Sequence, residues 1–145
     1  MKFNIVITII FYWIVYASVS GVIEAYIWTL NARNPVSKKQ NGDLHSYFLI
    51  QRFVVWVLAF GLFLSLTKDK YSTIAFAIAL FLSFPFFHLG AMYHMRNKLD
   101  RSYPQGFFAD PSPTSQAKIN ISFSSRFLLL VGAVILFSAI LILKV

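Results

Sequence analysis

Four long apolar segments constrain this chain more than any other feature of its sequence. They run from about residue 5 to 30, 46 to 66, 72 to 93 and 121 to 143. A helix needs about 20 predominantly apolar residues to cross the hydrocarbon of a bilayer, and in lipid only helices and closed barrels satisfy their own backbone. The segments are too long and too uniformly apolar for barrel strands, which alternate over about 10 residues. The sequence therefore predicts an all-α integral membrane protein, a four-helix transmembrane bundle of up-down topology.

The composition agrees with a membrane protein. Hydrophobic residues make up 58% of the 145 residues and charged residues 12%, whereas about 25% of a typical soluble domain is charged. No internal repeat is evident, so we expect a single transmembrane domain over residues 1–145. The absence of cysteine excludes disulfides and thiolate metal sites. The net charge of +8 comes from basic residues beside the apolar segments, so we expect membrane lipids with anionic headgroups as partners and no nucleic acid.

The first apolar segment has a second interpretation. Lys2, the apolar run that follows it and Ser18-Val19-Ser20 resemble a cleavable signal peptide. We interpret the segment as the first membrane helix.

The distribution of Lys and Arg predicts an orientation. The first link (about 31–45) and the long third link (about 95–120) together carry seven of these residues, against four in the two ends and the short second link. Because cytoplasmic loops carry the excess of basic residues, we expect both links in the cytoplasm and both termini on the non-cytoplasmic side of a bacterial inner (plasma) membrane. Pro35 and Gly42 are expected to keep the first link non-helical.

Glu24, the one glutamate of the chain, lies inside the first apolar segment. A charge within the membrane is costly, and Glu is too short to reach the interface easily. In an up-down bundle Arg52, His88 and Arg126 fall at the same depth as Glu24, about 8 Å inside the cytoplasmic boundary. We therefore expect Glu24 to pair with one or both arginines in a single polar cluster.

Helical spacing adds further polar side chains to this cluster. Tyr16 and Ser20 share a stripe with Glu24, and Trp56 shares a face with Arg52. Glu24 and His88 are the candidates for a catalytic role. The predicted binding residues are Arg52, Arg126, Glu24, His88, Tyr16, Ser20, Trp56 and Tyr93. With two arginines and one carboxylate the pocket is positively charged and would prefer an anionic headgroup or phosphate. A purely structural role in fixing helix register is the alternative.

Three histidines raise the question of a metal or haem. A bis-histidine haem needs ligands on two helices at one depth, whereas His45 and His94 lie at the boundary and His88 lies deeper. We predict no metal site and no resident cofactor, and a haem-binding redox subunit stays as a further alternative. The sequence also carries no GxSxG, GxGxxG or P-loop motif.

The size, the four spans and the basic links are similar in topology to the membrane-associated eicosanoid and glutathione metabolism superfamily. The second-helix signature of that family has Asn and Glu one turn after an Arg. Here Arg52 is followed by Val55 and Trp56 in LIQRFVVWVLAFG. The glutathione-binding pattern is missing, so the sequence assigns no family.

Two functions from different classes remain open. The first is an accessory protein that binds lipid, another membrane protein or a second copy of itself, since no catalytic motif is present. The second is a membrane-embedded enzyme acting on a lipidic or anionic amphiphilic substrate, with Glu24 or His88 in proton transfer and the arginines holding an anion.

Overall fold

The computed structural model describes residues 2–33, 38–67, 69–103, 106–111 and 121–142. Within these residues the secondary structure is helical, and four long helices follow one another along the chain. They are α1 (Lys2–Arg33), α2 (Lys38–Thr67), α3 (Lys70–Leu99) and α4 (Phe123–Ile142). Each is long and apolar enough to cross a membrane. The prediction of an all-helical chain with four helices long and apolar enough to span a membrane is confirmed.

The second helix begins earlier than the sequence predicted. It starts at Lys38 and includes Gly42, which we expected to interrupt the chain. Lys and Gln are good helix formers, and one glycine costs only about 1 kcal/mol relative to alanine in a helix interior. The polar first turns of α2 therefore continue the helix beyond its apolar part. Pro35 lies outside the described residues.

The short connection between α2 and α3 ends in a helix cap. Asp69 has an extended backbone, and its carboxylate accepts hydrogen bonds from the backbone N–H of Tyr71 (3.3 Å) and of Ser72 (3.0 Å). These bonds satisfy N–H groups that have no partner within the helix. The hydrogen bonds from Ser72, more than that from Tyr71, hold the pKa of Asp69 below its usual value.

The α3 helix is the centre of the bundle and packs on each of the other three helices, most extensively on α1. The indole N–H of Trp13 in α1 donates to the Leu80 carbonyl (3.0 Å) and to Ser83 Oγ (3.2 Å) of α3. Further along both helices, Gly21 meets His88. Later residues of α1 thus contact later residues of α3, so the two helices run in parallel.

The other two helices run antiparallel to α3. Thr67 at the end of α2 and Thr73 at the start of α3 lie within hydrogen-bond distance, at 3.3 Å. At the same end Phe137 of α4 packs edge-on against Phe76 of α3. The chain therefore alternates in direction from helix to helix, as an up-down bundle requires.

An apolar core fills one end of this bundle. Its rings include Phe63 and Phe76, stacked with centroids 4.0 Å apart. The core residues are Val6, Ile9, Trp13, Phe63, Phe76, Leu80 and Ile140. The buried charged groups Glu24 and Arg126 lie toward the other end of their helices. The bundle thus has an apolar end and a polar end.

Two special residues shape the polar end of α3 and its neighbour. Pro85 lies inside α3 without ending it, although a proline removes the hydrogen bond to the carbonyl four residues earlier. On α1, Gly21 lies so close to α3 that an added Cβ would collide with the His88 carbonyl oxygen. Ala17, one turn away, is fully buried. Small residues here let the two backbones touch.

Candidate functional site

The carboxylate of Glu24 is held by groups from two other helices. Arg52 of α2 donates to Oε2 at 2.5 Å, and Nε2 of His88 in α3 lies 2.7 Å from the same oxygen. The other oxygen, Oε1, accepts from the indole N–H of Trp28 at 3.3 Å. Both oxygens are thus engaged. We call Glu24, Arg52 and His88 the triad.

The triad is enclosed rather than fully sealed. The side chains of Glu24 and His88 are almost wholly buried, while that of Arg52 is 18% exposed. The Arg52 guanidinium lies over the rings of Phe84 (5.3 Å to the centroid) and Phe48 (5.9 Å). Because aromatic faces attract cations, these rings add to the attraction of the carboxylate. One residue from each of three helices therefore meets at the same depth.

The imidazole of His88 has one engaged and one unengaged nitrogen. Its ring stacks on Phe84, with centroids 4.9 Å apart. When Glu24 is ionised, Nε2 donates its proton to the carboxylate, and in the neutral ring Nδ1 is then the bare nitrogen. Nδ1 is buried without a hydrogen bond of good geometry, although the backbone of Ala17 interacts with the ring. His88 is therefore the group of the triad that is able to accept a proton.

The other residues predicted for this cluster divide into two sets. The Tyr16 hydroxyl and the Ser20 Oγ are buried on α1 without a hydrogen-bond partner. The indole N–H of Trp56, by contrast, donates to the Ala77 carbonyl of α3 at 3.0 Å. Trp56 therefore joins α2 to α3, whereas Tyr16 and Ser20 leave polar groups unsatisfied within the bundle.

Arg126 lies outside the triad, contrary to the expectation of one cluster. It is fully buried, and one amino group (Nη2) donates to the carbonyl of Ala109. Its guanidinium lies over the rings of Tyr93 (5.2 Å) and Phe123 (5.6 Å). Within the described part of the chain it forms no ion pair.

The separation follows from how the helices pack. Among the four helices α4 packs extensively on α3 alone. Tyr93, which contacts Arg126, is five residues beyond His88, which contacts Glu24. At 100° and 1.5 Å per residue the two side chains leave α3 about 140° and 7.5 Å apart. The sequence places Arg126 at the same membrane depth as Glu24, but α3 lies between the two side chains.

Residues 106–111 of the third link cover Arg126, and we call them the covering segment. The ring of Phe107 packs against Gly90 of α3, where an added Cβ would lie 2.6 to 2.8 Å from the ring atoms. Asp110 accepts a hydrogen bond from the backbone N–H of Phe123 at 2.6 Å. Neither Gly90 nor Ala109 was expected in a site from the sequence. A glycine within an apolar helix is the signal that could have marked Gly90 as a point of close contact.

A metal site would need several histidine or carboxylate side chains close together. No group of three such side chains comes together among the described residues. His94 is exposed on α3, and the side chain of His45 lies outside the described part of the chain. A haem iron would have to displace Glu24 to reach Nε2 of His88.

A cavity of about 200 Å³ lies at the apolar end of the bundle, between the start of α3 and the end of α4. It is lined by Tyr71, Ser72, Ala75, Leu136, Ala139 and Ile140. These walls offer hydroxyls and hydrocarbon but no charged group, so the cavity does not suit an anionic headgroup.

Comparison with protein-family models, with curated proteins and with solved structures finds no significant match to the chain.

Proposed function

We propose that the protein is a non-enzymatic accessory protein of a bacterial inner membrane, and that its triad is an internal lock between helices. The observation that supports this proposal is the direct contact of Glu24 with Arg52 and His88. A carboxylate whose two oxygens are both engaged has little capacity left for a substrate. Removing one partner of a buried ion pair leaves an uncompensated charge, so the triad favours one arrangement of α1, α2 and α3.

The orientation belongs to this proposal. An even number of spans puts both ends of the chain on one side of the membrane. The first and third links carry seven Lys and Arg, against four in the two ends and the second link, which favours these links in the cytoplasm with both termini outside. The triad and Arg126 then lie in the cytoplasmic leaflet.

The proposed partner is another membrane protein, and α2 is the helix that would contact it. Only 6% of an 18-residue apolar stretch of α2 is buried in the bundle, against 22% of the corresponding stretch of α4 and 39% of that of α3. Large apolar side chains such as Phe53 and Leu58 point away from the other helices. Lipid and a second copy of the chain are the other possible neighbours.

Photo-crosslinking in native membranes tests this proposal. A photoreactive residue would replace Leu58 on α2, which is 65% exposed, or Ile135 on α4, which is 63% exposed. We expect a protein adduct at Leu58 and only lipid adducts at Ile135, the matched control. Lipid adducts alone at both positions, or an adduct only with a second copy of the chain, would contradict the accessory role.

An enzyme acting on a lipidic substrate is the second candidate, because the triad has unsatisfied polar neighbours. The Tyr16 hydroxyl, Ser20 Oγ and His88 Nδ1 are all buried without hydrogen-bond partners, and a polar substrate head would satisfy such groups. Lipid profiles of cells that express the wild type or His88→Ala distinguish the two functions. A lipid consumed by the wild type alone would support the enzyme, and identical profiles would remove it.

A further inference from the structure

We infer that Arg126 and the start of α4 form a binding site for a phosphate group, separate from the triad and independent of the accessory role. Arg126 is the fully buried arginine of the described chain. A guanidinium has five N–H donors. One amino group donates to Ala109, while Nε and the other amino group (Nη1) are buried without a hydrogen-bond partner.

The charge of Arg126 is also without a close counter-ion. The two rings that flank it, Tyr93 and Phe123, attract a cation but accept no strong hydrogen bond from it. Asp110 is the nearby acid, and its Oδ1 accepts from the backbone N–H of Phe123. No carboxylate lies within ion-pair distance of Arg126 in the described chain. A buried cation with unused donors is suited to an anion that brings several acceptor oxygens.

The start of α4 adds to this preference. The backbone N–H of Phe123 and the turn at Ser122, whose Oγ accepts from the N–H of Ser125 at 3.2 Å, mark the N-terminus of a helix of 20 residues. The N-terminus of a helix carries a partial positive charge that favours anions. Asp110 already places one carboxylate oxygen there. Its carboxylate is therefore an internal competitor for the same positive region.

The position of the site suits a phosphate at a membrane surface. Arg126 is the fourth residue of α4, about 4.5 Å along the helix from its first residue. Residues at this level of a spanning helix lie close to the lipid headgroups. Phe108 of the covering segment is 67% exposed beside it. The ligand is therefore a phosphate group, either esterified in a lipid headgroup or present as free phosphate.

Native mass spectrometry of the detergent-solubilised full chain tests the site. The probes are phosphatidic acid, which has a phosphate monoester, and diacylglycerol, which has the same tails without phosphate. We expect saturable binding of phosphatidic acid that Arg126→Met weakens by about tenfold or more, as expected when a buried charge loses its partner. The matched control is Arg101→Met, which removes the same charge from an exposed position and should change binding by less than about twofold.

Asp110→Asn keeps the test decisive if Arg126→Met does not fold. The amide oxygen still accepts from Phe123, but the competing negative charge is lost, so we expect phosphatidic acid to bind about threefold more tightly. Weaker or unchanged binding in Asp110→Asn, or equal losses in the Arg126 and Arg101 variants, would overturn the site.

Inorganic phosphate added as a competitor identifies the source of the group. Displacement of phosphatidic acid at millimolar phosphate would show that the site takes the free anion. Persistence of the lipid complex, together with the loss in Arg126→Met, would show that the acyl chains are also required. Equal binding of diacylglycerol and phosphatidic acid would overturn the proposal from either source.

Discussion

Arg52 and Arg126 lie in the same half of one small bundle and are stabilised in different ways. Arg52 is partly exposed and touches the carboxylate of Glu24 at 2.5 Å. Arg126 is fully buried and has a backbone carbonyl and two aromatic rings around it. The more buried arginine is thus the one without an acid.

The two arginines show that a buried charge can have two different consequences, depending on whether an acid neutralises it. Around Arg52 the positive and negative charges cancel, and each partner depends on the other. Around Arg126 the desolvated charge is only partly compensated, because a carbonyl dipole and ring faces supply less than a carboxylate does. A cancelled charge fixes helices in place, whereas an uncancelled one remains able to attract an anion.

The largest expected effect comes from removing the shared acid. Glu24→Ala leaves Arg52 and His88 together without a counter-charge, so we expect a loss of about 3–5 kcal/mol in the free energy of unfolding. Thermal or denaturant unfolding in detergent measures it. Glu24→Gln, which keeps hydrogen-bonding oxygen and volume, should lose clearly less. Equal losses in the two variants would show that packing, and not charge, stabilises the triad.

Replacing each arginine by the uncharged Met tests the comparison directly. Arg52→Met leaves Glu24 buried and unpaired, and we expect it to destabilise the fold by about 2–3 kcal/mol. Arg126→Met removes a charge that has no acid, and we expect a change of less than about 1 kcal/mol. The two unfolding curves give the difference. A larger loss in Arg126→Met would mean that its ring and carbonyl contacts outweigh its desolvation.

The contact of the covering segment with α3 predicts a moderate loss of stability when Gly90 is replaced. A methyl group there would lie within 3 Å of the Phe107 ring, so the ring must move away from α3. We expect Gly90→Ala to cost about 1–2 kcal/mol through this overpacking. Gly106→Ala, where an added Cβ meets no atom within 4 Å, is the matched control. Faster proteolysis after residue 106 in Gly90→Ala alone would show that the segment has loosened.

The smallest effect belongs to Asp69, which is partly exposed at the other end of the bundle. Its pKa in the folded chain lies below the ordinary value of 3.8 because Ser72 and Tyr71 donate hydrogen bonds to it. The stabilisation is therefore complete above pH 3.8 and is lost as the pH falls through the lower folded pKa. We expect the thermal midpoint of the wild type to drop in that window and that of Asp69→Asn to drop less. Parallel curves would argue against the cap.

The sequence was sufficient for the architecture because lipid leaves few solutions. Each apolar segment had to be a helix, and the four segments appear as α1 to α4. The end of a helix is less constrained, because outside the hydrocarbon the conformation of a residue such as Gly42 depends only on local helix propensity. That is why α2 extends past its predicted start.

The candidate site could be predicted only in part. The sequence gives the depth of each residue in the membrane but does not show which neighbouring helix its side chain faces. Depth was enough to bring Glu24, Arg52 and His88 together, since α1, α2 and α3 contact one another. It failed for Arg126, whose neighbours depend on which face of α3 receives α4. Hydrophobic patterning does not reveal that choice when helices are apolar on all sides.

The glycine at position 21 sets the spacing of the triad more firmly than the charges do. Main chain rests on main chain at that point, so α1 is already as near to α3 as atoms allow. This contact fixes the position of Glu24, three residues further along α1, relative to His88. A side chain shorter by one methylene, as in Glu24→Asp, would leave a gap that no inward movement of the helix is free to close.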